Sequence, residues 1–498
     1  MFPPLYTYHL MSCQDKILGY SMQNNTPMKG DEKGGRRMRN SEKNKKFSGT
    51  GGKMISRRGF LKGVGALGLG LAAASSLGKV ASAQPKGPVK LSLWTWENPQ
   101  QRPWIHKRVK MFMEKNKGVQ VDFQWFTFTD LGKKVSVGYA TGTAPEGFST
   151  GTWLMPTWLT RNMIAPMDVK KLGYSSLQAF IDDYPKAFIA SAVKGGKVYG
   201  YPIYFYGFIN YLNTNHFKEA GLDPVRDQPK TWEELGEVAK KLAIKKGTKF
   251  ERQGFKFAMH AAMWTMVQFN PILHQCGGSW FDKDGKCTLN SQAGVRAMTI
   301  RASIIRKYGA EDPADTIATS PLPMMDFLKE KTAMFSTHQI PPAAVKSQNE
   351  KMAAEEYYRP VQMPGVDPNK RYPSAYGFNF VINVNASKEK QEVLHDLYQF
   401  IMSDLIDCWK DTQPFTPARK SGWADDPQVK GFPHLDEIIK ARDNGVFLPE
   451  TPIYNELADI IHQAVQRVTL DNADIKRTLD EAAAQVDKAS EEFKTKKS

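Results

Sequence analysis

The sequence predicts an α/β protein with parallel strands covered by amphipathic helices, and three observations carry that expectation. After residue 88 the apolar pattern runs strand, helix, strand. Val89, Leu91 and Leu93 alternate. Ile105, Val109, Phe112 and Met113 recur at helical spacing up to Gly118, and Val119, Val121, Phe123 and Trp125 alternate again. Such a β-α-β unit places its two strands side by side in a parallel sheet. The second observation is the stretch 195–242, where short strands lead into a capped helix. The third is length: 498 residues suffice for two or three domains and a large core.

Residues 1–53 are polar, basic and rich in Asn, Gly, Ser and Lys, without an apolar period. They are expected to be a disordered extension or a mis-called start, with Met54 the true first residue. Residues 54–83 are expected to be an export signal. Ser56-Arg57-Arg58-Gly59-Phe60-Leu61-Lys62 resembles the twin-arginine motif, an apolar run over 63–78 follows, and Ala81-Ser82-Ala83 fits signal peptidase. That run is too short for a membrane span. No Cys stands at the cleavage point, so no lipid anchor is expected, and the mature chain from Gln84 is expected in the periplasm.

The formal net charge is +17, but residues 1–83 hold 14 Lys/Arg against 4 Asp/Glu, whereas residues 84–498 hold 54 against 47. Most of the excess lies in the leader, and no basic run is interleaved with aromatics, which argues against a nucleic-acid partner. Of the four cysteines, Cys276 and Cys287 flank a segment that reads as a hairpin turning at Asp284-Gly285. They admit either a disulfide, in an oxidising compartment, or two reduced buried thiols. There is no CxxC, no Cys/His cluster with metal spacing, no GxxxxGK[ST] and no GxSxG, so neither a cofactor nor a bound metal is expected. Asp282-Lys283-Asp284-Gly285 lacks the further ligands of a calcium loop and reads as a turn.

Taken in order, the first strand ends in Trp94-Thr95-Trp96-Glu97, and ligands of open α/β sheets sit beyond such carboxyl ends. A helix runs over 129–139. In 195–242, residues 197–203 read as extended chain, 208–212 as a short strand and Asn213 as a cap. A helix over 216–220 stops at Gly221, and Thr231 opens the next with Glu234 completing a capping box. Leu235, Val238, Ala239 and Leu242 give that helix one buried face. Further helices are expected over 293–308, after the cap Ser387, and twice near the C-terminus, with Leu457, Ile460, Ile461, Ala464 and Val468 and then Ile475, Leu479, Ala482, Val486 and Phe493 on their apolar faces.

The order Tyr199-Gly200-Tyr201-Pro202, Asn213, Phe217 to Asp223, and Pro229 to Leu235 resembles the family 1 extracellular solute-binding proteins of ABC importers, the group of the maltose-binding protein. The segments 162–168, 327–334, 361–364 and 414–419 continue the likeness, which covers nearly all of 88–490. Glu146-Gly147 stands where the family has Asp-Val, and the usual Gly-x-Trp is absent at 336–339. The resemblance implies a periplasmic binding protein type II fold, two Rossmann-like lobes joined by hinge strands. Lobe I is expected over 84–204 and 335–377, and lobe II over 205–334 and 378–498. Crossings are expected near 203–207, 333–336 and 376–380. It also implies hinge closure on a solute in the cleft, delivery to permease subunits in the inner membrane, and no enzymatic activity.

Sugars present apolar C–H faces ringed by hydroxyls, so a sugar site pairs flat aromatic rings with short polar side chains. Trp94, Trp96, Trp153, Trp264 and Tyr376 are read as cleft platforms or as core. Trp104, Trp125 and Trp232 are read as core, and Trp280 as packing beside the hairpin. The residues expected at the ligand are Trp94, Trp96, Glu97, Ser149, Thr150, Trp153, Tyr206, Trp264, His338, Gln339, Tyr376, Gly377 and Phe378. The expected function is capture of a carbohydrate, an oligosaccharide or polyol, by a soluble monomer. The alternatives are a sugar phosphate or other solute, and a secreted polysaccharide-degrading enzyme.

Overall fold

A computed structural model describes residues 87–97, 101–317, 322–338, 340, 342–354, 356–412, 416–432 and 434–495. The expected extension, the export signal and Gln339 lie outside them. The β-α-β unit forms as the periodicity requires: β1 (Val89–Trp96), α1 (Arg102–Lys115) and β2 (Val119–Phe126), with β1 and β2 parallel and in register from Val89 opposite Val119. Leu91 and Leu93 are buried while Lys90 is exposed and Ser92 and Trp94 are half covered, the alternation of a strand with one face on the core. Helix α2 (Phe128–Thr141) leads into β3 (Gly147–Gly151), also parallel to β1.

The stretch 195–242 folds as read. Strand β4 (Tyr201–Gly207) and strand β5 (Ile209–Asn213) are separated by Phe208 alone. The Asn213 side chain caps the short helix Thr214–Glu219, which Gly221 follows with φ of 73°. Helix α3 (Trp232–Leu242) carries the complete Thr231/Glu234 capping box and buries Leu235, Ala239 and Leu242. Next come α4 (Ala262–Gln275), α5 (Gln292–Arg306), β6 (Met334–Thr337), β7 (Tyr358–Val361) and β8 (Ser374–Asn383). Helix α6 (Lys388–Met402) is capped by Ser387, and α7 (Tyr454–Thr469) and α8 (Ile475–Thr495) close the chain.

Two sheets organise the molecule. The larger runs in the order Thr416–Pro417, β4, β8, β3, β1, β2, with Ile164–Ala165 and Val446–Phe447 also pairing to β8. The smaller has three antiparallel strands, β6-β5-β7. Every residue of β8 is buried, as expected of a central strand covered on both faces. Helix α6 packs on α1, where Arg108 donates to Ser403 Oγ at 2.7 Å. Helices α7 and α8 pack on the small-sheet side, where Asn290 Nδ2 donates to Asp480 at 2.8 Å and Arg306 donates to the Val468 carbonyl.

The strand pairings set where the chain passes between the two sheets. The first passage between sheets falls at Phe208, directly after the expected 203–207. The second does not fall at 333–336, because β6 there lies antiparallel on β5 with Phe335 opposite Tyr211. The chain returns to the large sheet between β7 and β8 instead. Residues 376–380 lie inside β8, which pairs with β3 and β4 along its length. Residues 335–361 therefore go with the small sheet, and β8 and α6 with the large one. An apolar strand reads alike whichever sheet it joins, so partner choice is invisible in local periodicity.

Of the two states left open for the cysteine pair, the reduced one is found. Cys276 and Cys287 are both free thiols. The loop closes by an antiparallel bridge between Phe281 and Cys287, with Gly285 at φ of 80°. Cys276 stands outside it, at the C-terminal end of α4, where Gly277 at φ of 80° turns the chain away. Burial raises the Cys287 thiol to about 11, so it stays protonated and inert.

Candidate functional site

Strand alternation places Tyr204 and Tyr206 on one face of β4, and Tyr376 and Phe378 on one face of β8. The antiparallel register sets Tyr376 opposite Tyr206 and Phe378 opposite Tyr204. Tyr206 and Tyr376 stack, with ring centres 5.0 Å apart and planes 22° from parallel. Trp96, at the end of β1, stacks on Phe378 at 5.0 Å and 20°, and its indole N–H donates to the Tyr204 hydroxyl. Trp153, in the 3-10 turn after β3, meets Tyr376 and Phe378 edge-on at 5.6 and 5.5 Å. From the small-sheet side His338, just past β6, approaches Tyr206 at 4.9 Å, and Trp264 of α4 lies 6.4 Å from His338. One aromatic cluster thus runs from the large sheet to α4 and the residue just past β6.

The structure brings together seven of the expected residues: Trp96, Trp153, Tyr206, Trp264, His338, Tyr376 and Phe378. Ser149 and Thr150 line a small pocket with Trp96, Trp153 and Phe378, and the remaining expected residues make other contacts. Trp94 packs on Phe126 at 5.0 Å beneath α2, apart from this cluster. Glu97 forms an ion pair with Arg102 at 3.1 Å. Buried Ser149 bonds Thr95 at 2.7 Å, and buried Thr150 accepts from the Trp158 indole at 2.7 Å. Gly377 answers a packing demand, since a Cβ there would lie 1.8 Å from the Phe188 ring. Trp104 and Trp232 are core as expected and Trp280 is buried too, but Trp125 is only half-buried, stacked on His106 at 5.6 Å. Tyr204 was legible from its two-residue spacing to Tyr206. No local pattern marks Phe208 or Tyr454, which join the cluster through tertiary packing alone.

Beside Trp153 a cavity of about 600 Å³ opens between α2 and the turns over 152–158 on one side, and the N-terminal ends of α4 and α7 on the other. That volume lies within the range of small-molecule sites. Trp153, Thr157, Ser136, Asn455, Asp459 and Tyr454 contribute to its wall. A second cavity of about 630 Å³, at the hairpin over 244–252, is lined by lysines and carboxylates, with Phe250 its one ring. It offers no stacked platform. Among the described residues no group of three or more His, Cys, Asp or Glu is placed to hold a metal, and no helix is long and apolar enough to cross a membrane.

Two histidines near these elements are held neutral. Burial, and then Arg252, lowers His216 to about 4; burial, then Lys256 and His462, lowers His260, beside Trp264, to about 4. Both folded values lie below the ordinary 6.5, so between the two pH values the unfolded chain binds the extra protons. Their contribution to stability is complete above about pH 6.5 and is lost as the pH falls towards 4. Thermal unfolding at pH 5 is therefore expected roughly a few degrees below that at pH 7. A melting curve that does not move between those pH values would contradict this.

The family model for bacterial extracellular solute-binding proteins matches residues 96–404. A putative binding protein of Brucella abortus is 24% identical over 428 residues, 84% of this chain and 97% of that one. A solute-binding protein of an ABC transporter from Thermotoga lettingae, solved with α-D-tagatose, superposes with a TM-score of 0.67 at 20% identity, covering 80% of this chain and 99% of that one. A maltose-bound protein of T. maritima gives 0.67 at 18% identity, covering 80% and 99%. At such identities the two structures speak to the fold, the periplasmic binding protein type II arrangement. The match over 96–404 places it in a family: the chain belongs to the bacterial extracellular solute-binding proteins.

Proposed function

We propose that this chain is the capture component of an ABC importer and takes a carbohydrate, an oligosaccharide or polyol, between its two sheets. The observation that carries this is the aromatic cluster of Trp96, Trp153, Tyr206, Trp264 and Tyr376 beside a cavity of about 600 Å³. Flat rings suit the C–H faces of a sugar, and Ser136, Thr157, Asn455 and Asp459 supply partners for its hydroxyls. The tagatose and maltose held by the similar structures support the same class. One lobe is built on the large sheet, over 87–207 and 374–447, and the other on the small sheet, over 209–361 and 454–495. Phe208 and the segments 362–373 and 448–453 are the hinges, and closure about them presents both lobes to the permease. The mature chain works in the periplasm after twin-arginine export, as a monomer, and releases its solute unchanged.

The test is a thermal-shift screen of the full chain against neutral sugars, polyols and their acids and phosphates, followed by small-angle scattering with each hit. At least one sugar is expected to raise the melting temperature and to contract the particle. A chain that no sugar or polyol stabilises, or whose scattering is unchanged by a bound hit, would sink the reading.

A further inference from the structure

The cavity beside Trp153 is asymmetric in charge. Helix α4 begins on it without a side-chain cap and without an acidic residue in its first turn, and Ala261, Ala262 and Met263 all line the wall. The first bonded amides of α4 are those of Trp264 and Thr265, which reach back to the Ala261 carbonyl. The N–H groups of Ala262 and Met263 have no acceptor among the described residues. Helix α7 starts on the same cavity and also lacks a side-chain cap, although Glu456 stands in its first turn. Unsatisfied N–H groups and the positive end of the helix dipole together favour an anion.

A second and independent feature points the same way. Tyr454 is only 2% exposed and lines the cavity, yet its hydroxyl has no partner among the described residues. Burial raises its pKa well above the ordinary value, so this hydroxyl stays a donor. Lys133 of α2 lines the opposite wall. Asp459 is the one carboxylate that lines the cavity, and it is exposed, one turn into α7, where it can accept hydroxyl hydrogens. Two helix starts, one ammonium and one buried hydroxyl donor therefore outweigh one exposed carboxylate.

We propose that the solute carries a negative charge. It is a sugar acid or a sugar phosphate whose anionic group sits at the start of α4, within reach of Tyr454 and Lys133, with its hydroxyls towards Asp459. This rests on the reading that the cleft binds a carbohydrate, and it narrows that class.

Titration calorimetry on the full chain tests it with four probes: glucose, glucuronate, galacturonate and glucose 6-phosphate. At least one anionic probe is expected to bind about tenfold or more tighter than glucose, the uronate and phosphate arms showing which anion the site takes. Tyr454→Phe and Lys133→Gln are each expected to weaken that probe by about tenfold and to leave glucose affected much less. Lys133 is exposed, so its substitution keeps the test valid if the Tyr454 variant unfolds. Glucose binding as tightly as the acids, or an anion whose affinity ignores Lys133→Gln, overturns the inference while carbohydrate capture stands. Failure of all four probes and of every neutral sugar overturns both.

Discussion

Arg301→Met is expected to destabilise the protein by about 3–5 kcal/mol, read as a lower urea midpoint. Arg301 and Glu311 are both about 1% exposed, and they pair at 2.9 Å, with Glu311 also accepting from the Phe257 amide at 2.9 Å. The guanidinium lies 4.0 Å over the Phe257 ring. Together they tie α5 to the loop before α4. Burial pushes the Glu311 carboxyl above its usual range, and Arg301 opposes that. Without Arg301 the folded carboxyl titrates far above its unfolded value, so the variant keeps most of its stability below the unfolded pKa and loses it as the pH rises. The deficit against the parent chain should therefore grow from pH 4 to pH 7. A companion Arg301→Met, Glu311→Leu chain should recover much of the loss, since the harm lies in a buried charge left alone. A deficit that is flat with pH would reject that cause.

Trp153→Ala is expected to act on both stability and binding. The side chain is 4% exposed, packs edge-on to Tyr376 and Phe378, and lies 6.0 Å from Tyr454. It folds back against Gly151, where a Cβ would meet its ring at 2.3 Å. Truncation removes the wall between the aromatic cluster and the cavity, at a cost of about 3–5 kcal/mol. The dissociation constant of the bound sugar should rise at least about tenfold, because both the platform and the shape of the cavity are lost. Trp153→Phe should lie between the two, keeping a ring of smaller area. Measured at a temperature where each variant is folded, an unchanged dissociation constant would remove Trp153 from the site.

The units that end within one segment were legible beforehand. The Thr231/Glu234 capping box, the Asn213 cap, the turn at Gly221 and the β-α-β unit over 89–126 all formed where their residues required. Each rests on partners within about a dozen residues, or on a period that local burial imposes. The site was half legible. Trp96, Tyr206, Tyr376 and Phe378, picked out as aromatics at strand ends, pack together as one group, whereas Trp94, picked out by the same rule, packs under α2. Ser149 and Thr150, short polar residues beside a strand end, bond Thr95 and Trp158 and line a small pocket with Trp96, Trp153 and Phe378. Side-chain type cannot tell a group facing a cleft from one facing a helix.

The sequence by itself determined the α/β class, the caps, the helical faces and the family. Tertiary structure alone decided that β6 stays with β5, that β8 runs between β3 and β4, and that Cys276 and Cys287 remain apart. It alone brought Tyr454, from the last quarter of the chain, to the cavity beside Trp153. The physical reason is range. Periodicity and capping record what a residue needs from its near neighbours, whereas sheet order and cavity walls depend on which distant surfaces meet, and many pairings satisfy the same local pattern.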